Sequence, residues 1–403
     1  MWLSTYTALS RTLLKNPRML AVSPRLNFFL IGYLRKFKIR KVAGRLVVHS
    51  HLPPLNSKAY SRFVSEHLLG RSAGPSHAQI GVTNACPQRC AYCYNRYRKG
   101  RPLDTTAILR TIADLKAMGV FWLGLTGGEP LLNQDLARII ESAGPDCAVK
   151  LFTTGCTLTR QRAVELQRAG LYSVSVSLDH WQEDVHDGAR GYPGAFSAAL
   201  TAIDLFKEAG GLHVGVSAVL SKDMIAAGQV VRFLEFLQSL DIHEAWLSEA
   251  KPSTDAFWND SKVLTESERL ELVRLQDEYN ARGRMTVNYL GHFEGREHFG
   301  CNAGHKMVYV DAFGEVSPCV FTPMTFGNVR EESLKKIFQR MKPFFPSENT
   351  CFVNKNFALL RRYGGGLAFV EKDAAMDLMA EVRFDPLAEF FRLFYGGAKR
   401  SIP

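Results

Sequence analysis

The feature that most constrains the fold is a regular alternation of strand and helix patterns between residues 78 and 250. Six short apolar segments are predicted as strands, at residues 78–84, 121–127, 148–155, 172–179, 213–220 and 243–250. Helical patterns separate them, at residues 104–118, 133–143, 159–170, 195–210 and 225–240. Such alternation is typical of parallel βα units, whose right-handed crossovers wind the strands into a barrel or part of one. In these folds the functional sites lie at the carboxyl ends of the strands.

The alternation stops after "KPSTD" at residues 251–255. A charged helix is predicted at 264–282, short strands and turns at 285–330 with a hairpin in "VYVDAFGEVSPC", and a helix at 331–342. The amphipathic pattern after "RRYGGG" indicates packing and carries no recognisable motif. We therefore expect four parts, namely an N-terminal extension (1–76), the barrel (77–250), a linker helix with a small domain (251–360) and a C-terminal tail (361–403).

The stretch "ACPQRCAYCYN" sets three cysteines within eight residues, directly after the first predicted strand. Structural zinc takes four ligands, and the next cysteines, Cys147 and Cys156, flank another strand and are expected to be ordinary buried thiols. A [4Fe–4S] cluster on three thiolates leaves one iron open to a substrate or cosubstrate. Cys86, Cys90 and Cys93 are therefore the candidate ligands of such a cluster.

Cys86-Pro-Gln-Arg-Cys90-Ala-Tyr92-Cys93 resembles the signature of the radical S-adenosylmethionine (SAM) enzymes. The resemblance implies a partial (β/α)6 TIM-type barrel, with the open iron chelated by the amino and carboxylate groups of SAM. It also implies that the aromatic ring of Tyr92 lies near the adenine. The resemblance covers roughly residues 77–360 and is strongest in 78–191.

The segment "TGGEP" at the end of the second predicted strand resembles the glycine-rich motif of the same family. Gly127 and Gly128 remove side chains where backbone approaches a ligand. Glu129 then offers a carboxylate, and the resemblance implies that it binds the ammonium of the SAM methionyl group. Alone, such a segment would be only a turn.

Further contacts to SAM are expected where the third and fourth strands end. Thr154 follows the third strand in "FTTG", where family members often have asparagine nearby. Ser177 ends the fourth strand in "VSLDHWQEDVHDGARG" and shares one side of it with Asp179, since side chains alternate. The resemblance implies that Ser177 meets the ribose or carboxylate and that Arg190 binds the methionyl carboxylate. The alternative for this segment is a capping and turn sequence.

A second group of cysteines lies near the C-terminal end. Cys301 is followed by twelve residues, Gly314, four residues and Cys319, which resembles the start of the SPASM or twitch extension of radical SAM enzymes. The full SPASM pattern continues with several more cysteines, whereas this chain has only Cys351. The resemblance implies a small α+β domain with one auxiliary [4Fe–4S] cluster on these three cysteines and an unassigned fourth ligand. Three unrelated thiols are the alternative.

The resemblance also implies the chemistry. A low-potential donor such as flavodoxin or ferredoxin reduces the first cluster. SAM is then cleaved to methionine and a 5′-deoxyadenosyl radical, which removes a hydrogen atom from the substrate. A peptide or protein is the expected substrate, as for many enzymes with this extension; a lipid or other membrane-associated molecule is the second possibility. A non-enzymatic iron–sulfur electron carrier is the third, although it would need no cosubstrate pocket.

The net charge of +11 is concentrated in one segment. Residues 1–50 hold ten Lys or Arg and no acidic residue, which leaves 40 basic and 39 acidic residues in the rest of the chain. The same segment is rich in Leu and aromatic residues, so residues 1–45 are expected to lie on an anionic membrane surface or to pack on the body with a solvated basic face. An organellar transit peptide is a further alternative, and nucleic-acid binding is not expected.

The chain is expected to be cytoplasmic. The longest apolar run near its start, at residues 26–34, is too short for a bilayer span of about 20 residues. Eight cysteines in 403 residues do not amount to a disulfide scaffold, and clustered cysteines in a reducing compartment are more often metal ligands.

Overall fold

The computed structural model describes residues 2–3, 5–254, 256, 261–364 and 369–396. Its twelve strands in chain order are β1 (Trp2–Leu3), β2 (Ile39–Val42), β3 (Arg45–Val47), β4 (His77–Gly81), β5 (Trp122–Thr126), β6 (Ala148–Thr153), β7 (Ser173–Ser177), β8 (His213–Leu220), β9 (Glu244–Glu249), β10 (Thr286–Tyr289), β11 (Met307–Val310) and β12 (Val316–Ser317).

The α-helices are α1 (Thr5–Lys15), α2 (Pro24–Leu34), α3 (Lys58–Arg62), α4 (Thr105–Ala117), α5 (Leu136–Ala143), α6 (Arg160–Arg168), α7 (Glu183–Arg190), α8 (Ala195–Ala209), α9 (Lys222–Ala226), α10 (Val230–Ser239), α11 (Glu266–Arg282), α12 (Leu290–Phe293), α13 (Leu334–Met341), α14 (Phe352–Tyr363), α15 (Lys372–Glu381) and α16 (Glu389–Phe394). A π-helix follows α3 at Phe63–Leu69, and short 3₁₀ turns lie at Pro17–Ala21, Pro130–Leu132 and Lys342–Phe344.

The predicted alternation of strands and helices is confirmed. Strands β4 to β9 pair in parallel in sequence order, with helices between them. The sequence marks the helix starts, since Asp104, Thr159 and Ser221 each accept a backbone N–H at the N-terminus of α4, α6 and α9. The strands are buried along most of their length, as expected when helices cover a parallel sheet.

The parallel sheet is wider than the six predicted strands. Strand β10 pairs in parallel with β9, and β11 pairs in parallel with β4, so eight parallel strands run in the order β10, β9, β8, β7, β6, β5, β4, β11. The predicted hairpin is present, with β12 antiparallel to β11. Because β10 and β11 come from the segment 251–360, the expected division at residue 250 cuts across one continuous sheet.

The N-terminal head, defined here as residues 5–48, packs on the body through a hydrophobic core of its own. Helix α2 contributes Leu26, Leu30, Tyr33 and Leu34 to this core, and α16 contributes aromatic side chains from the other end of the chain. Strands β2 and β3 form a small antiparallel sheet with β1. Helix α2 of the head therefore packs on the body.

Helix α16 of the C-terminal tail packs against the head. Phe390, Phe391 and Phe394 of α16 are buried against the head. Residues 365–368 and 397–403 of the predicted tail lie outside the described residues.

Candidate functional site

Both groups of cysteines open into one cavity of about 590 Å³, whose wall includes residues at the carboxyl ends of the parallel strands. The residues expected at the site that line it are Cys86, Cys90, Cys93, Cys301, Cys319, Cys351, Tyr92, Gly127, Gly128, Thr154, Ser177 and Arg190. Glu129 is the one expected site residue that does not appear in the cavity wall. The structure therefore brings together two cysteine groups that are more than 200 residues apart in the sequence.

The loop that carries Cys86, Cys90 and Cys93 follows β4 and is held by backbone hydrogen bonds at two points. The backbone N–H of Arg89 donates to the Arg190 carbonyl at 2.9 Å, and that of Glu129 donates to the Ala85 carbonyl at 2.7 Å. The Cys90 thiol lies 3.8 Å from the same Arg190 carbonyl. These contacts tie the loop to the ends of β5 and α7.

Gly127 and Gly128 are required by the cysteine loop itself. Gly127 has a φ of +132°, and a Cβ there would lie 2.1 Å from the Thr83 carbonyl oxygen. A Cβ on Gly128 would lie 2.2 Å from the carbonyl oxygen of Ala85. Close approach of the neighbouring backbone, rather than of a ligand alone, therefore explains the two glycines.

Glu129 is completely buried and its carboxylate is fully occupied. Oε1 accepts from the Thr153 hydroxyl at 2.6 Å and the Leu131 N–H at 2.9 Å, while Oε2 accepts from the N–H and hydroxyl of Thr154 at 2.6 and 2.5 Å. Four donors use about all the lone pairs of a carboxylate. In this conformation Glu129 joins the end of β6 to the Gly-Gly turn, and its expected contact with an ammonium stays a prediction.

Tyr92, Asp179 and Arg190 form one hydrogen-bonded group, in which Asp179 and Arg190 are buried and Tyr92 is half-buried. Asp179 Oδ1 accepts from Arg190 at 2.9 Å and from the Val219 N–H at 2.8 Å, and Oδ2 accepts from the Tyr92 hydroxyl. The Arg190 guanidinium lies over the Tyr92 ring, 5.6 Å from its centre. Burial, opposed by the Arg190 charge, raises the pKa of Tyr92 well above its usual value, so the phenol stays protonated as the donor to Asp179.

Arg190 retains a donor without a protein partner. Its Nε is buried and makes no hydrogen bond within the described part of the chain, while its side chain lines the cavity. A buried, unpaired guanidinium N–H is costly unless a ligand accepts from it. This edge fits a carboxylate such as that of a methionyl group.

One of the auxiliary cysteines, Cys351, adjoins an ion-pair network around the buried Lys251. The thiols of Cys301 and Cys351 are hydrogen-bond partners, and the Lys251 ammonium lies 3.4 Å from Cys351 Sγ. The hydrogen bond from Cys301 and the charge of Lys251 hold the pKa of the Cys351 thiol well below its usual value, despite its burial. The thiolate is the form that binds metal, so Cys351 fits the role of a cluster ligand.

The sequence analysis missed the charged residues beside Cys351. Lys251 Nζ lies 3.2 Å from Glu249 Oε1 and 2.9 Å from Glu294 Oε2, and all three side chains line the cavity. Arg269 pairs with Glu249 from helix α11. Glu249 and Lys251 could have been found from the sequence, because they fall where the sixth predicted strand ends and site residues are expected there. Glu294 follows α12, and no sequence pattern marks it.

The remaining cysteines behave as expected. Cys147 and Cys156 are buried, and neither is in a disulfide. Among the described residues, no three His, Cys, Asp or Glu side chains are grouped so as to hold a single metal ion.

The cavity also extends between the head and the tail. Its wall there includes Leu30 and Leu34 of α2 and Phe390, Phe391 and Phe394 of α16. Over the residues that the structure describes, no helix combines the length and apolar character needed to cross a membrane.

Family comparisons agree with the two cysteine groups. Residues 80–225 match the family model of the radical SAM superfamily, and residues 301–352 match that of SPASM, an iron–sulfur cluster-binding domain.

Individual relatives are distant. The PqqA peptide cyclase of Methylocella silvestris is 27% identical, covering 64% of this chain and 72% of that protein. The AdoMet-dependent heme synthase of Methanosarcina barkeri is 24% identical, covering 65% and 82%. The fold resembles that of SuiB from Streptococcus suis, in a crystal structure with its precursor peptide SuiA, at a TM-score of 0.54, 17% identity and 69% coverage of each chain.

Proposed function

The chain belongs to the radical SAM superfamily and carries an SPASM domain, and from this premise we propose that it is an enzyme that modifies a peptide. The observation that carries the proposal is the single cavity shared by the cysteines of both domains. A substrate in this cavity can lie near SAM and near the auxiliary site at once. The names of two relatives support a peptide, since one is a peptide cyclase and another is seen with a precursor peptide.

The superfamily core binds a [4Fe–4S] cluster and SAM, and the SPASM domain binds additional iron–sulfur clusters. When bound, they supply the reductive cleavage of SAM and the removal of a hydrogen atom from the substrate. The protein holds the substrate bond in place and excludes water from the cavity.

We assign Cys86, Cys90 and Cys93 as ligands of the first cluster. Support comes from their common position in the cavity wall and from the contacts that fix their loop. Gly127 and Gly128 lie in the same wall, and neither places a side chain between the backbone and a ligand. The exposed position of Cys86 is compatible with electron delivery by a separate low-potential protein such as flavodoxin or ferredoxin.

For SAM we assign Arg190 to the carboxylate, through the unpaired Nε, with Tyr92 near the adenine. Ser177 and Thr154, whose side chains also line the cavity, are assigned as further polar contacts. Glu129 binds the ammonium only if its carboxylate releases one of its four present donors.

For the auxiliary cluster we assign Cys301, Cys319 and Cys351. The position of all three in the cavity wall supports the assignment, and the Lys251 ammonium, 3.4 Å from Cys351 Sγ, favours a thiolate there. The fourth ligand stays open.

A lipid or other membrane-associated substrate is the second candidate. The apolar cavity wall between the head and α16, and the basic, apolar surface of the head, favour it. In this case we also propose a peripheral position on the inner face of a membrane. The AdoMet-dependent heme synthase among the relatives shows that substrates other than peptides occur in proteins similar to this one.

The test uses reconstituted full-length protein with dithionite and SAM, and measures 5′-deoxyadenosine. The wild type should release it and Cys90→Ala should not; release by the variant would contradict the assigned chemistry. To identify the substrate class, peptide and lipid fractions of cells with and without the gene are compared by mass spectrometry. A gene-dependent mass change confined to a peptide supports the first candidate, and one confined to a lipid supports the second.

A further inference from the structure

The head carries several exposed apolar side chains. In the part of the chain that the structure describes, nine large apolar side chains are exposed, and five of them lie between residues 13 and 31. The three most exposed of all are Leu14, Phe28 and Leu20, at 82%, 75% and 74%. Single exposed apolar residues are ordinary, whereas such a concentration in one segment marks an interaction surface.

Helix α2 shows two opposite apolar faces. Leu26, Leu30 and Leu34, one helical turn apart, face the body and are buried. Phe28 and Ile31 are exposed and three residues apart, so they share the outer face. If α2 only packed on the body, its outer face would be expected to carry polar residues.

The exposed apolar residues lie among positive charges. The exposed basic residues of the segment are Arg11, Lys15, Arg18, Arg25 and Arg35. Residues 1–50 contain no acidic side chain, and the ion pairs found among the described residues include none of these five. Arg25 and Arg35 lie three and seven residues from Phe28, so they flank the apolar outer face of α2.

We propose that this surface, Arg11 to Arg35, docks on the surface of an anionic lipid bilayer. Leu14, Leu20 and Phe28 enter the interface between headgroups and acyl chains, and the surrounding Arg and Lys bind lipid phosphates. A second copy of the chain is a poorer occupant, because the two surfaces would bring like charges together. An acid-free, exposed and apolar surface has its complement in anionic lipid.

The docking surface and the cavity lie on opposite sides of one helix. Leu30 and Leu34 of α2 line the cavity, while Phe28 and Ile31 face outward. Docking would therefore place the cavity about one helix diameter from the bilayer surface. This inference concerns location and does not depend on whether the substrate is a peptide.

The test must leave the head in place, because the head is part of the folded body. The ring of Tyr33 lies 4.9 Å from that of Phe299, and Phe29 lies 5.8 Å from Phe390. The backbone carbonyl of Gly211 accepts from Arg45. Deletion of residues 1–45 would uncover the core, so substitutions confined to exposed side chains are used.

The experiment measures co-sedimentation of the full-length protein with vesicles of phosphatidylglycerol and, separately, of phosphatidylcholine. The wild type should bind the anionic vesicles, with weaker binding at high salt, and should bind phosphatidylcholine weakly. The triple variant Leu14→Gln, Leu20→Gln, Phe28→Gln should lose at least tenfold in the partition coefficient. Leu270→Gln, which removes a 62%-exposed leucine from α11, is the matched control and should bind as the wild type does.

A charge variant separates the electrostatic contribution to vesicle binding from the contribution of the apolar side chains. Replacement of Arg11, Lys15, Arg18 and Arg25 by Gln should weaken binding to anionic vesicles about fivefold per charge and leave the weak binding to phosphatidylcholine unchanged. Iron content equal to that of the wild type shows that each variant is folded.

Two results would overturn the proposal. One is failure of the wild type to sediment with anionic vesicles. The other is equal binding by the wild type and the triple variant. Self-association of the wild type that the triple variant abolishes, without vesicle binding, would assign the surface to a second copy instead. Release of 5′-deoxyadenosine is measured independently in detergent-free buffer, so loss of vesicle binding and loss of activity can be told apart.

Discussion

Arg190 donates to Asp179 Oδ1 at 2.9 Å with one terminal nitrogen, while its buried Nε has no hydrogen-bond partner among the described residues. Asp179 also accepts from the Val219 N–H and the Tyr92 hydroxyl, so strand β8 and the cysteine loop both fix its position. Asp179 therefore anchors the guanidinium, while the buried Nε–H has no acceptor among the described residues. This relationship makes Arg190 the most testable of the proposed SAM contacts.

We predict that Arg190→Lys weakens SAM binding by about 10- to 100-fold. A lysine keeps the charge but cannot both pair with Asp179 and present a second N–H, and a hydrogen bond to a charged group contributes about 1.5–3 kcal/mol. Equilibrium dialysis of labelled SAM against reconstituted protein measures the change. Arg232→Lys is the control, since Arg232 lies over the Trp181 ring and outside the cavity wall; equal losses in both variants would contradict the assignment.

Gly127→Ala is predicted to displace the cysteine loop. The added Cβ would meet the Thr83 carbonyl oxygen at 2.1 Å, at a φ of +132° that alanine rarely adopts. We expect a loss of more than about 2 kcal/mol in the free energy of unfolding, together with reduced iron content. Chemical denaturation and iron analysis measure the two effects.

Gly188→Ala is the matched control for Gly127→Ala. Gly188 lies within α7, and a Cβ there would have no neighbour within 4 Å. Alanine in a helix is favoured over glycine by about 0.5–1 kcal/mol, so this variant should be as stable as the wild type or more so. A Gly127→Ala protein that matched it in stability and iron content would show that the turn tolerates a side chain.

The sequence was sufficient to predict the strands of the barrel and the cysteine loop. Period-two and period-3.6 apolar patterns are local signals, and β8 matches its predicted span of 213–220 residue for residue. The hydrogen bonds to the Glu129 carboxylate could not be predicted, because Thr153 and Thr154 at the end of the next strand donate them. The contact depends on how two strand ends meet, which the sequence pattern does not encode.

The wider sheet and the auxiliary site could not be predicted either, because both depend on contacts between residues far apart in the sequence. Strands β10 and β11 contain only four residues each, and they join the barrel through partners more than 40 residues away. Lys251 reaches Cys351 and Glu294 across comparable separations. Local patterns therefore do not predict contacts that depend on long-range pairing. The same holds for the head, whose core includes residues of α16 at the far end of the chain.

Iron analysis tests the auxiliary cluster. The reconstituted wild type should hold about eight iron atoms per chain, as two [4Fe–4S] clusters. Replacing Cys301, Cys319 and Cys351 together by Ala should leave about four. Cys147→Ala is the control and should retain about eight, because that thiol is buried in the main core. About four iron atoms in the wild type would remove the auxiliary cluster from the proposal.

Lys150 gives the stability of the protein a defined pH dependence. Its side chain is fully buried, donates to the Ser50 hydroxyl at 2.6 Å and lies 4.6 Å from the centre of the Phe152 ring. Burial, opposed by the charge of Glu244, lowers the pKa of Lys150 to about 7. The unfolded chain keeps this proton up to a pH of about 10.5, so unfolding takes up a proton between the two values.

It follows that the Lys150 contribution to the free energy of unfolding rises with pH above 7. Between pH 7 and 8.5 the rise should be about 2 kcal/mol, since each pH unit in the window contributes about 1.4 kcal/mol. Lys150→Met should lack this rise, and Lys207→Met, a half-buried lysine on α8, should retain it. Urea denaturation of the three proteins at both pH values measures the difference, and parallel curves for wild type and Lys150→Met would contradict the lowered pKa.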